Sequence, residues 1–363
     1  MKNRVMDALR TVNDPELGKD LVTLGMIENL VVEDATVRLT INLTTPACPL
    51  KDRIESDVRA AVLAIDGIED LAIEWGAQVR SSMAGGEQLI PGVRNTILVG
   101  SGKGGVGKST VAANLALSLT ADGASVGLLD ADIYGPNQPT MLGVSGQPTG
   151  RDKLIDPFVG PLGLKLISIG FFLKPDEPVI WRGPMLHGAI RQFLADVAWG
   201  DLDYLVIDLP PGTGDIQLTL SQIIPVTGAV LVTTPQAVAL EDMKKAALAM
   251  NRVNIPVLGV VENMSGYTCA GCGETEYLFG RGGGKSAADD FEVPFLGEIP
   301  IDPRVMVGGD AGKPVVVHEP DSPAAQALKK VARAVAGQVS VRAFARQGAA
   351  PSPPRMPEPI GSR

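Results

Sequence analysis

Residues Thr36 to Leu43 alternate without a break, with Val37, Leu39, Ile41 and Leu43 on one side of the period and Thr36, Arg38, Thr40 and Asn42 on the other. A period of two is the pattern of a strand with one buried face. After Pro49 the period lengthens: Ile54, Val58, Ala61, Val62 and Ile65 recur at helical spacing as far as Gly67, and Leu71, Ile73 and Trp75 resume the alternation. Asn13-Asp14-Pro15 breaks an opening helix. Residues 1–79 are thus expected to form a small α/β domain in the order helix, turn, strand, helix, strand.

From Val93 the pattern changes. Short runs that are apolar throughout (TILVG, SVGLLD, LKLISIG, YLVIDL, GAVLVTT, VLGVV, PFLGEI) alternate with longer helical ones. Such strands suit a parallel sheet covered by helices on both faces. The expected fold class is α/β, with a mainly parallel sheet over residues 93–345 behind the small α/β domain. Residues 80–92, RSSMAGGEQLIPG, lack periodicity and read as a linker, and residues 346–363 read as a disordered Pro-rich tail.

Composition narrows the class. A chain of 363 residues with 45% hydrophobic and 20% charged content is expected to form two or three packed, soluble domains. No stretch approaches the roughly 20 apolar residues that span a bilayer, and acidic residues stand early in the chain where a secretory signal would be apolar. A cytoplasmic location and no membrane partner are expected. The segment AAQALKKVARAVAGQVSVRAFAR is amphipathic and basic, which suits a membrane surface, but its lack of Trp favours packing on the sheet. A net charge of -9 opposes nucleic-acid binding, which depends on Lys and Arg. Three cysteines make no disulfide framework.

The strongest chemical signal is GSGKGGVGKST, Gly100 to Thr110, which follows the strand TILVG and opens the helical run VAANLALSL. Its core, Gly102, Lys103, Gly104, Gly105, Val106, Gly107, Lys108, Ser109 and Thr110, meets the phosphate-loop pattern. Glycines let backbone N–H groups approach phosphate oxygens, Lys108 reaches the outer phosphates and Ser109 ligates Mg2+. Asp130 and Asp132 in LLDADIYGPN and Asp208 in YLVIDLPPGTGD follow strands whose carboxyl ends share one edge of the sheet. One such Asp alone is often only a cap; three downstream of a single phosphate loop point to a magnesium and hydrolysis site.

The further lysine, Lys103 in GKGGVGK, resembles the deviant Walker A ATPases, a group that includes MinD, ParA and the nitrogenase iron protein. That resemblance implies ATP as the nucleotide and a homodimer in which Lys103 reaches the partner's ATP. It also implies that Asp132 orients the attacking water, Asp130 lies near magnesium, Asp208 is the Walker B residue, Gly212 is a switch II hinge and Asn263 reads adenine. DADIYGPN, WRGPM (Trp181 to Met185), DLPPGTGD, VENMS followed by CxxC, and FGRGGG (Phe279 to Gly284) narrow the likeness. Over about Val93 to Val339 the chain resembles the Mrp/ApbC family of iron-sulfur cluster carrier ATPases. The segment before it, with TTPACPLKD around Cys48, is similar to the iron-sulfur assembly domain often fused ahead of Mrp proteins.

Cys269 and Cys272 form a CxxC, and the chain's other cysteine is Cys48 in the other domain. A cluster needs four ligands, and a two-fold dimer supplies four thiolates from two copies of one pair. The resemblance implies the same arrangement, a 4Fe-4S cluster held between subunits and handed to recipient apoproteins, with slow ATP hydrolysis. Zinc bridged by the same thiolates, a single-chain zinc site and a redox dithiol are weaker alternatives. The flanking SGYTCAGCGETEY reads as loop. A MinD- or ParA-like positioning ATPase explains the nucleotide site equally well but not the cysteines, and a reductase like the nitrogenase iron protein uses widely separated cysteines. Cys48 stands before a helix start expected to lower its pKa, and is read either as a cluster or partner contact or as a small buried residue. His187 and His318 have no neighbouring ligands in the sequence and read as structural.

Overall fold

The computed structural model describes residues 1–82, 89–152, 154–173, 183–212, 215–269 and 271–346. Residues 83–88 of the expected linker, the expected tail after Arg346, and Trp181 and Arg182 of WRGPM lie outside the described residues. The chain divides into two compact units. Among the described residues the first is 1–80 with 336–346, and the second is Ser81–Val335.

The first unit contains α1 (Lys2–Leu9), β1 (Ile27–Glu33), β2 (Thr36–Leu43), α2 (Lys51–Leu63) and β3 (Asp70–Ala77). Its sheet has the order β1-β2-β3, antiparallel between β1 and β2 and parallel between β2 and β3. The alternation in β2 has the expected result: Val37, Leu39, Ile41 and Leu43 are buried in one core with Val5, Leu9, Ile54, Val58 and Val62. Phe344, near the chain's last described residues, enters the same core. The strand β1 is not evident in the sequence. Its register slips between Glu28 and Val31, and Asn29 takes a positive φ of 50°, so the side-chain period is broken in mid-strand.

In the second unit the strands are β4 (Thr96–Ser101), β5 (Val126–Asp130), β6 (Lys165–Ser168), β7 (Tyr204–Asp208), β8 (Gly228–Thr233), β9 (Val257–Thr268), β10 (Thr275–Glu276) and β11 (Phe295–Ile301). Helices α3 (Lys108–Ala121), α4 (Gly183–Ala195), α5 (Asp215–Ile223), α6 (Ala237–Arg252), α7 (Gly283–Asp290) and α8 (Pro303–Asp310) connect and follow them, and the last helix, α9 (Pro323–Arg346), belongs to this unit as far as Val335 and to the first unit from Ala336. The central order is β6-β5-β7-β4-β8-β9-β11, parallel throughout, with β10 antiparallel on β9. This is the expected α/β class.

Both faces of the sheet are covered. Leu98, Leu129, Ile207 and Leu231 meet Ile190, Phe193, Ile216, Leu220 and Met243 from α4, α5 and α6 in one cluster. Their neighbours Ile97, Val99, Leu128, Val206 and Val230 point the other way and are equally buried, and α3 packs on β4, β5 and β7. Among the described residues no helix is long and apolar enough to cross a membrane. The apolar stripe of α9, including Leu328, Val331, Val335 and Val339, is buried in the protein.

Strand β9 runs well past the apolar run VLGVV that announces it. Beyond Asn263 it bulges: Asn263 pairs with Ile299 and Tyr267 with Ile301, so the two strands advance unequally, and Met264 takes a φ of 57°. The segment expected as loop is instead a hairpin, with Tyr267 opposite Glu276 and Thr268 opposite Thr275. Cross-strand pairing rather than local period makes it a strand.

Candidate functional site

The phosphate loop leaves β4 at Ser101 and enters α3 at Lys108. Two of its glycines are demanded by geometry. A Cβ on Gly102 would lie 2.1 Å from the backbone of Asp242, and Gly107 combines a φ of 81° with contact to Asn263, whose Nδ2 would be 2.1 Å from an added Cβ. Asn263 Nδ2 donates to the Val106 carbonyl at 2.9 Å and holds β9 against the loop. The loop lines a cleft of about 710 Å³ whose walls include Lys103, Asp132, Asn263, Met264, Phe279, Ile301 and Met306. Lys103 stands half-exposed at this cleft, free of ion pairs among the described residues.

Two of the three strand-end carboxylates, Asp208 and Asp132, meet at Lys108. Its Nζ lies 2.6 Å from Asp208 Oδ1, 3.5 Å from Asp132 Oδ2 and 3.1 Å from Ser109 Oγ. The parallel register sets Asp208 opposite Asp130. Burial, and then the neighbouring Asp208 charge, push the Asp130 carboxyl up to about 8, although Ser168 Oγ and the N–H groups of Gln138 and Asp132 donate to it. Burial also raises Asp132, against the pull of Lys108. Gln138 and Ser168 belong to this centre and carry no motif in the sequence; only their hydrogen bonds to Asp130 and Asp208 reveal them.

Hard oxygen donors gathered beside a phosphate loop fit a magnesium ion better than a soft metal. Ser109 and the Asp208 carboxylate, now paired with Lys108, are the residues suited to hold it. Gly212, with a φ of 93°, donates its N–H to the Ser101 carbonyl at 2.9 Å and so begins the following segment beside the loop. Thr213 and Gly214 lie outside the described residues.

Cys269 and Cys272 occupy the tip of the β9–β10 hairpin, the first half-buried and the second exposed. The turn is closed by Cys269 N–H to the Glu274 carbonyl and Gly273 N–H to the Cys269 carbonyl, both 2.9 Å. N–H groups of Cys272 and Gly271 aim at the Cys269 sulfur and hold its thiol below the usual range. Among the described residues no third His, Cys, Asp or Glu joins the pair in a metal-sized group. FGRGGG has a packing role here: a Cβ on Gly283 would meet the Pro235 carbonyl at 2.9 Å, and Gly284 N–H donates to the buried Glu262 carboxylate. His187 Nδ1 pairs with Thr219 Oγ1 at 2.8 Å.

In the first unit the expectation for Cys48 is corrected. Burial, with the Glu16 and Asp14 charges adding to it, pushes the thiol up to about 11, against the lowering by the Leu50 N–H. Glu16 is itself raised to about 7, chiefly by burial and then by Asp14, and its carboxylate lies where Gly337 leaves room for it. A raised carboxyl costs the fold nothing below about pH 4.5, an increasing amount as pH climbs to about 7, and a constant amount above. Glu16→Gln is therefore expected to unfold about 3 °C above wild type at pH 8 and together with it near pH 4, read by calorimetry of the full chain.

The family described as NUBPL iron-transfer P-loop NTPase matches residues 92–336, and the family described as iron-sulfur cluster assembly protein matches residues 2–75. The iron-sulfur cluster carrier protein of Deinococcus radiodurans is 52% identical over 345 residues, covering 94% of this chain and 97% of that protein. A nucleotide-binding protein of Archaeoglobus fulgidus, solved in complex with ADP, is 42% identical with a TM-score of 0.57, over 64% of this chain and 90% of that one. The cell division ATPase MinD of Pyrococcus furiosus shares the fold at 24% identity and a TM-score of 0.50, over 66% of this chain and 98% of that one.

Proposed function

This chain belongs to the iron-transfer P-loop NTPase family, and on that premise we propose that two copies hold one 4Fe-4S cluster between them and pass it to recipient apoproteins. The observation that carries the reading is the hairpin tip: two thiols, one of them exposed, with no third ligand among the described residues. Two copies complete the four thiolates that a cluster requires. A tip so placed suits cargo that must leave by exchange of thiolate ligands, a step that needs no oxidant.

The ATPase half supplies the switch. With nucleotide in the cleft Lys108 would turn from Asp208 to the phosphates, Ser109 and Asp208 would hold magnesium, and Asp132, beside Lys108, would orient the attacking water. Magnesium, when bound, neutralises phosphate charge and the developing charge on the leaving oxygen. Lys103, without an ion pair among the described residues, would reach the second copy's nucleotide, and Asn263, in the cleft lining, would border the base. The first unit serves docking or delivery. Free thiols suit a reducing compartment, the cytoplasm. A positioning ATPase accounts for the nucleotide site and leaves the hairpin thiols without a role.

The test is transfer. Protein reconstituted anaerobically with iron and sulfide is incubated with a 4Fe-4S apoenzyme, and the recipient's activity is followed with and without ATP. The recipient is expected to activate faster than with the same iron, sulfide and thiol free in solution. Equal rates from carrier and free components would refute the proposal.

A further inference from the structure

The side chain of Gln138 lies among the carboxylates of the nucleotide site at 0% exposure. Its Nε2 donates to Asp208 Oδ2 at 2.9 Å and to the Ser109 carbonyl at 3.0 Å, and its backbone N–H donates to Asp130 Oδ2 at 3.2 Å. A primary amide has two N–H donors, and here both are spent. The reversed amide would set its oxygen against two acceptors, so the surroundings fix its orientation. Oε1 is left as a buried acceptor with no partner among the described residues. An orphan acceptor is costly, and an apolar side chain of similar length would fill the space without one. What such a side chain lacks is the pair of donors.

Asp208 has need of them. It is 1% exposed, faces Asp130 across the parallel ladder, and divides its oxygens between Lys108 at Oδ1 and Gln138 at Oδ2. A lysine that turns to phosphate oxygens releases Oδ1. Gln138 has no such competing demand, because its second proton is tied to the first turn of α3 through Ser109.

We propose that Gln138 is a positioning residue for magnesium-bound nucleotide. It pins Asp208 through Oδ2 and ties it to the first turn of α3, so that the oxygen released by Lys108 stays available to the metal beside Ser109. The inference rests on the nucleotide-binding half of the proposed function and not on the cluster.

The test follows binding of N-methylanthraniloyl-ADP to the full chain over a range of Mg2+ concentrations, for wild type, Gln138→Met and Gln138→Asn. Methionine matches the length of glutamine and donates nothing. In Gln138→Met the Mg2+ concentration that gives half of the metal-dependent tightening is expected to rise about tenfold, while affinity without Mg2+ stays within about twofold. Gln138→Asn keeps both donors on a shorter side chain; it is expected to shift in the same direction, and it stands in should the methionine variant not fold. An unchanged Mg2+ requirement overturns the proposal. So does an equal loss of affinity with and without Mg2+, which a packing role would give. Because the readout is binding, a chain that hydrolyses no ATP or carries no cluster would refute those readings separately.

Discussion

Cys269→Ser is expected to abolish cluster retention. Anaerobically reconstituted wild-type chain should appear in native mass spectrometry as a dimer carrying one 4Fe-4S unit, and the variant should carry none. The physical reason is ligand number. Each chain brings two hairpin thiols, and with one removed a dimer offers two thiolates where the cluster needs four. The effect should be steep, because Cys269 is the thiol that the N–H groups of Cys272 and Gly271 favour as thiolate. Cys48→Ser is the control. That thiol is half-buried in the other unit, burial holds it protonated to about pH 11, and its loss should leave the cluster in place. A dimer holding zinc on the same four sulfurs would keep the shared site and remove the iron-sulfur cargo. A monomer that retains a cluster would refute the shared site.

Lys108→Ala is expected to cost at least about a hundredfold in ATP hydrolysis, since it removes a preorganised cation from where phosphate charge develops. A second effect sets it apart from an ordinary active-site change. Lys108 is 6% exposed and its ammonium lies against Asp208 and Asp132, with Asp130 in the adjoining ladder position. Without it, buried carboxylates face one another uncompensated. The variant should therefore lose thermal stability as well as activity, and the stability loss should shrink as pH falls and the raised Asp130 and Asp132 carboxyls are protonated. Steady-state phosphate release and unfolding midpoints between pH 5 and 8 check both parts. A variant that keeps wild-type hydrolysis would remove Lys108 from the phosphate site.

Lys108 and the two hairpin cysteines differ in how visible they are in the sequence. Lys108 sits in a motif whose strand and helix are both announced by local period, so its place in the fold follows from a dozen neighbouring residues. Cys269 and Cys272 are visible as a pair, but the hairpin that presents them is not, because SGYTCAGCGETEY lacks the alternation of a strand and is held by pairing across the ladder.

Legible along the chain were the strands of both units that show a clean period, the phosphate loop, the acidic strand ends and the shortage of sulfur ligands in one chain. Each of these depends on chain neighbours within a turn or two of helix, or on a count. The contact of Gln138 with Asp208, 70 positions along the chain, and the meeting of Asp130 and Asp208 in register are seen in the folded chain alone. It alone shows that Cys48 is held protonated by burial where its place before a helix argued the reverse, and that the glycines of FGRGGG make room for Pro235 and Glu262. Register and desolvation depend on residues brought together from far apart, and a local period carries no record of which distant strand or side chain will arrive beside it.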